Sequence, residues 1–187
     1  AQPFRFSHMV NLDGIPYKRR IPDVSEHERT SMLASDVAAW LDHRRRTAEA
    51  QRKPGTLDEL ATRRGLMNPR LDHDWLRYLV TVGARRDTDG WRWKIDPTIR
   101  MGGFGPWRPE WTINRLPGLP MPFLGILGRE QEEMGWGTLP HHVFPYLPPG
   151  GRCEVLDDVG HFVHIEQPDL VAGMVLDFLG AAPGVAS

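Results

Sequence analysis

A segment near the carboxyl end constrains the fold of this chain more than any other. A short apolar run, Cys153–Leu156, is followed by a turn that contains Gly160 and then by His161. The amphipathic stretch 169–179 comes next, and Pro168 suits the first turn of a helix. This order of strand, glycine turn, histidine and helix predicts an imidazole on a loop at the carboxyl edge of a sheet. Open α/β sheets build their active sites at that edge.

Two earlier apolar runs also predict strands. Residues 6–13 end in an acid, Asp13, and residues 121–128 are apolar on both faces, which is typical of a buried parallel strand. The segment between the two runs is about a hundred residues long, which is more than a simple crossover needs. The sequence therefore predicts an α/β fold with a parallel sheet and a separate segment inserted after its first strand.

The inserted segment is predicted to be mostly helical. Capping boxes at Ser25 and Thr56 and an acid at Asp72 mark the starts of three helices, the last of which runs towards Gly83. A turn before Gly90 then leads into an alternating stretch that is typical of a short strand or a hairpin arm.

The composition of the chain excludes several classes of protein and of binding partner. A formal net charge of −1 gives no reason to expect nucleic acid or an anionic membrane as a partner. The single cysteine, Cys153, excludes an internal disulfide and suits a reducing, cytoplasmic location. No apolar run approaches the length of a membrane span. The sequence is thus typical of a globular protein that acts on a small molecule.

The order of these elements resembles the carboxyl-terminal portion of the α/β-hydrolase family. The run ending in Asp13 is similar to the family's sixth strand, residues 123–128 to its seventh, and Cys153–Leu156 to its eighth. Gly90–Pro97 is similar to the segment that leaves the cap in some lidded members. The resemblance implies a partial hydrolase core, residues 1–22 and 112–187, with a helical cap or lid, residues 23–111, over the active site.

One hallmark of that family is missing. The nucleophile elbow, Gly-x-Ser-x-Gly, does not occur in the sequence, and the family's chain order puts it before Ala1. We therefore expect the nucleophile, serine or aspartate, on an amino-terminal α/β-hydrolase fragment that is missing from this chain or lies on a separate one. The three strands alone would leave an open parallel edge, which favours pairing with that fragment and leaves homo-oligomerisation open.

The resemblance implies that His161 is the catalytic base and that a carboxylate orients its ring. Many members place this acid three residues after the glycine that ends the seventh strand, but Gln131 occupies that position here. Two substitutes remain open. Asp13 ends the sixth strand, where some haloalkane dehalogenases carry their acid, and Glu130 lies beside the usual position. We favour Asp13 narrowly.

The remaining features concern the substrate and rival functions. Trp107 and Trp111 are candidates for the wall of an apolar substrate pocket, although such side chains more often pack a cap onto its core. We expect no cofactor and no metal, because the histidines His141, His142, His161 and His164 lack the close spacing of a zinc site. A rival interpretation is a non-catalytic binding or interaction module that kept the hydrolase framework and lost the elbow.

Overall fold

The computed structural model describes the chain over residues 5–15, 26–96, 112–132 and 138–180. Its contacts divide the chain into two compact units. The first consists of Ala1–Arg19 and Pro109–Ser187, and the second of Arg20–Arg108.

The first unit is built on a parallel sheet of three strands in the order β1-β4-β5. These strands are β1 (Met9–Leu12), β4 (Phe123–Gly128) and β5 (Arg152–Leu156). Met9 lies opposite Phe123, and Gly128 lies opposite Leu156, so the carboxyl ends of the strands reach the same edge. The predicted α/β class and the predicted parallel sheet are confirmed.

Strand β4 is buried on both faces, as its uninterrupted apolar sequence predicts. Because side chains alternate along a strand, Phe123 and Leu127 enter one core cluster while Leu124 and Ile126 enter another. Burial of these four side chains stabilises the fold by about 1.5–3 kcal/mol each.

Short elements connect and cover the strands of the first unit. Between β4 and β5 lie a 3₁₀ turn at Phe144–Tyr146 and the helix α4 (Pro140–Val143), while another 3₁₀ turn, Leu116–Gly118, precedes β4. After β5 come α5 (Val163–Glu166) and α6 (Pro168–Phe178). Helix α6 begins at Pro168, as predicted, and packs its apolar side on the second core cluster through Val171, Met174, Val175 and Phe178.

The second unit contains three helices and a hairpin. They are α1 (Glu26–Thr47), α2 (Leu57–Gly65), α3 (His73–Gly83), β2 (Ala84–Asp87) and β3 (Gly90–Trp93), the last two antiparallel. The predicted capping box of α2 is confirmed, since the side chains of Thr56 and Glu59 each accept the other's backbone N–H. Asp72 caps α3 by accepting the N–H of Trp75. The predicted capping residue Ser25 lies outside the described residues.

Two elements differ from the sequence prediction. The chain forms β2 directly after α3, where the polar pair Arg85 and Arg86 gave no strand signal, because β2 pairs with β3 rather than burying an apolar face. The short helix α5 interrupts the loop that was predicted between His161 and the last helix. Within the described ranges, none of the helices combines the length and apolar character that crossing a membrane requires.

Candidate active site

Three loops meet at the carboxyl edge of the sheet. Asp13 follows β1, residues 129–132 follow β4, and residues 157–162 follow β5. The parallel register brings these loops together, because the last residues of the three strands lie side by side. This edge therefore combines polar side chains from distant parts of the sequence, as in other open α/β sheets.

Asp13 is fixed in place by its own main chain and by a neighbouring strand. Its N–H donates to the carbonyl of Ile126 at 2.8 Å, and its Oδ1 accepts the N–H of Gly128 at 3.1 Å. The backbone of Asp13 has φ of 48°, a left-handed conformation that Asp and Asn adopt more readily than other residues with a side chain. Only 2% of the residue is exposed. The carboxylate is thus held at the end of β1 with one oxygen already used.

The other oxygen of Asp13 contacts His161. Asp13 Oδ2 lies 2.7 Å from His161 Nδ1. Because an ionised carboxylate only accepts hydrogen bonds, this contact favours the tautomer in which Nδ1 carries the proton. In the neutral ring this leaves Nε2 with a free lone pair, which is the arrangement of a general base with its orienting acid. The His161 side chain keeps 24% of its surface exposed, so that the ring is accessible from one side.

The main chain around His161 is held by two further carboxylates. The N–H of Gly160 donates to both oxygens of Glu166, at 3.0 and 3.1 Å. The N–H of His161 itself donates to Glu132 Oε1 at 2.6 Å. Neither glutamate was predicted as a site residue. Main-chain contacts of this kind depend on the path of the loops, for which the sequence carries no periodic signal.

Of the two candidate acids, Asp13 contacts the ring of His161. Asp13 lies against the ring, whereas Glu130 contributes its main-chain N–H to the carbonyl of Val159 at 2.9 Å, and no hydrogen bond to its side chain is seen among the described residues. The predicted substrate-binding residues Trp107 and Trp111 lie outside the described residues.

The thiol of Cys153 and the imidazole of His142 are also perturbed by their surroundings. Burial, with a smaller contribution from Glu154, raises the pKa of the Cys153 thiol to about 11, which keeps it protonated and unreactive at neutral pH. Burial and the neighbouring His141 lower the pKa of His142, whose Nδ1 accepts the N–H of Leu139 at 3.1 Å. In the part of the chain that the structure describes, no three His, Cys, Asp or Glu side chains form a group able to hold a metal ion.

The sheet, its strand order and the histidine loop define a class: part of an α/β-hydrolase fold. Solved structures of that class are similar to this chain. The thioesterase domain from the curacin biosynthetic pathway matches 94% of the chain with a TM-score of 0.70 and 16% identity. A hypothetical protein from Pseudomonas aeruginosa PAO1 matches 96% with a TM-score of 0.71 and 17% identity. E-2-(acetamidomethylene)succinate hydrolase matches 94% with a TM-score of 0.58 and 15% identity.

These matches confirm the resemblance to a portion of the α/β-hydrolase fold. The chain spans 59%, 61% and 58% of the lengths of these three proteins. No family model and no curated protein matches the sequence.

Proposed function

We propose that this chain provides the catalytic base, the orienting acid and a substrate-covering cap for an α/β-hydrolase that cleaves a small, largely apolar substrate. The observation that carries the proposal is the 2.7 Å contact between Asp13 Oδ2 and His161 Nδ1 at the carboxyl edge of the sheet. His161 takes the proton of a serine nucleophile, or activates water if the nucleophile is aspartate. Asp13 holds the ring in the required tautomer and stabilises the imidazolium that forms.

The proposed nucleophile lies on an amino-terminal segment outside these 187 residues. Two observations support this part of the proposal: the sequence lacks the nucleophile elbow, and the chain spans about 60% of the matched hydrolase-fold structures. A third is the free edge of β1, which pairs only with β4 among the described residues. An open parallel edge is a site for adding a strand, and we propose that the amino-terminal segment supplies it.

The helical second unit acts as the cap, and Trp107 and Trp111 contribute to the apolar wall of the pocket. The fold likeness to a thioesterase domain makes thioesters and oxygen esters the first substrates to test, before amides, epoxides and haloalkanes. A cytoplasmic location is proposed because the single cysteine is a buried free thiol.

The deciding experiment assembles the chain with the proposed amino-terminal segment. The assembled protein is assayed on thioesters and oxygen esters and is labelled with a fluorophosphonate probe for an activated serine. His161→Asn should lower kcat by about 10³-fold or more. His164→Asn is the matched control, because this exposed histidine lies three positions further on α5 and should leave kcat unchanged.

Equal activities of the two variants would contradict the role of His161. If the assembled protein hydrolyses neither kind of ester, amides, epoxides and haloalkanes are assayed next, and no hydrolysis in any of these five classes would instead favour the non-catalytic binding module.

A second experiment tests whether the chain needs the amino-terminal segment in order to fold. Because the β1 edge is open, the isolated chain should aggregate or unfold without cooperativity, and the amino-terminal segment should restore a soluble complex. Size-exclusion chromatography and thermal melting measure both. A monomeric chain that melts cooperatively on its own would contradict the need for a partner segment.

A further inference from the structure

We propose that Glu132 is a positioning residue for His161, a role that rests on the proposed function of His161 as the base. Glu132 follows β4, whereas His161 follows β5, and 29 positions separate them. The bond of 2.6 Å from the His161 N–H to Glu132 Oε1 joins the two loops at the residue that carries the imidazole. Bonds to an ionised acceptor are about twice as strong as neutral ones.

The loop that carries His161 has no regular secondary structure of its own, so bonds to its neighbours determine its path. No strand or helix includes residues 157–162, and Asp158 within this loop has φ of 56°. Glu166 holds the preceding amide of Gly160, but it belongs to α5, only six positions further along the same segment. That bond fixes the loop to its own helix, and the bond from the Glu130 N–H to the Val159 carbonyl ties the loop to the segment after β4 two positions before His161. Glu132 extends this tie to the backbone of His161 itself.

The bond to Glu132 fixes the loop to the strand that also positions Asp13. Glu132 lies four residues after Gly128, whose N–H donates to Asp13 Oδ1. The ring of His161 is therefore held at two points: Asp13 binds Nδ1, and Glu132 binds the backbone from which the side chain starts. With both points tied to the end of β4, the ring can keep its contact with Asp13 without rotating away.

The second oxygen of Glu132 has a different environment from the first. Oε2 is fully buried, and no hydrogen bond reaches it from any described residue. A buried acceptor without a donor costs free energy, because its hydration is lost without replacement. Among the described residues, the hydrogen bond to His161 is therefore the contact that Glu132 makes through its carboxylate.

The test uses NMR on the protein chain, with its partner segment if the isolated chain aggregates. Two signals are followed: hydrogen exchange of the His161 amide, and the ring Nδ1 proton that is hydrogen-bonded to Asp13. Glu132→Ala should accelerate the exchange by about tenfold or more and should remove the ring signal. Glu132→Gln keeps an acceptor oxygen and should preserve both signals. Glu130→Ala, two positions earlier on the same loop, should also preserve both.

In the assembled enzyme the same alanine variant should lower kcat by about 10- to 100-fold with little change in KM, since it displaces the base and not the substrate. Rescue by Glu132→Gln distinguishes positioning from general destabilisation. The NMR signals do not depend on catalysis, so they test Glu132 even if the proposed hydrolase activity fails.

An unchanged ring signal in folded Glu132→Ala would overturn the proposal, and so would an equal loss of the signal in all three variants. If Glu132→Ala does not fold, Glu132→Leu is measured in its place, because leucine retains the side-chain volume. It should show the same faster amide exchange and the same loss of the ring signal. A folded Glu132→Leu protein with an intact ring signal would refute the positioning role. Failure of both apolar variants to fold, with Glu132→Gln folded, would assign Glu132 to stability alone and refute it as well.

Discussion

The main chain of Gly128 lies so close to that of Gly160 that no side chain fits between them. A β-carbon on Gly128 would overlap the Gly160 carbonyl oxygen and would lie 2.6 Å from that of Val159. Both obstacles are backbone atoms, which cannot rotate away as a flexible side chain can. The glycine that ends β4 is therefore required for the close approach of the histidine loop.

Gly128→Ala should lower the free energy of unfolding by about 2 kcal/mol or more, because the added methyl group displaces the loop. Gly173→Ala is the matched control. A β-carbon there meets no atom within 4 Å, and alanine in the interior of α6 should stabilise the protein by about 0.5–1 kcal/mol. Urea denaturation measures both variants, and equal stabilities would show that the loop moves freely away from Gly128.

Asp13→Asn should leave the fold intact and reverse the histidine tautomer. Asparagine tolerates the left-handed backbone of residue 13, and its side-chain oxygen can still accept the Gly128 N–H. The amide nitrogen would then donate to His161 Nδ1 and move the ring proton to Nε2. Ring nitrogen chemical shifts report this change, and kcat of the assembled enzyme should fall by about 10⁴-fold. An Asn variant with full activity would remove Asp13 from the proposed mechanism.

Asp13→Ala should be less stable than Asp13→Asn. It leaves the buried Gly128 N–H without its acceptor, at about 1–3 kcal/mol. It also places an ordinary side chain in the left-handed region, at about 1–2 kcal/mol. Thermal melting of the two variants in one buffer compares these costs, and identical midpoints would mean that the Gly128 bond contributes nothing.

Cys153 should make the fold sensitive to alkaline pH. Burial raises the pKa of its thiol to about 11 from an ordinary value of 9.0. The folded state thus holds the proton more tightly than the unfolded state, so this contribution is fully present below pH 9.0 and is lost as pH rises towards 11. The free energy of unfolding should fall by about 1–2 kcal/mol more in the wild type than in Cys153→Ala over this range. Between pH 6 and 8 the two proteins should show parallel pH dependence, and parallel curves up to pH 11 would contradict the burial effect.

Thr56→Ala should destabilise the second unit by about 1 kcal/mol, because it removes the acceptor for the Glu59 N–H at the start of α2. Thr56→Ser retains the hydroxyl and should match the wild type. Helix content and urea denaturation measure the difference. A Thr56→Ala protein as stable as the serine variant would show that water replaces the cap at no cost.

Patterns that repeat along the chain could be predicted from the sequence, and contacts between loops could not. The apolar runs predicted β4 and β5, and the box at Thr56 predicted α2, since strand and helix periods leave local signals. The choice between Asp13 and Glu130 stayed open, because it depends on the direction in which two loops leave the sheet. The bond between Glu132 and His161 joins main chain to side chain across 29 positions, so residue type alone does not reveal it.

The pairing of β1 with β4 also determines when the site can form. Met9 of β1 pairs with Phe123 of β4, which lies more than a hundred positions later in the sequence. Strand β5, which leads to His161, ends at Leu156. Contacts between such distant residues form slowly, because the chain loses conformational entropy on closing the loop before the contacts stabilise it. During synthesis on the ribosome, β1 therefore cannot pair with β4 until residue 128 has emerged, and Asp13 can contact His161 only after residue 161 has emerged.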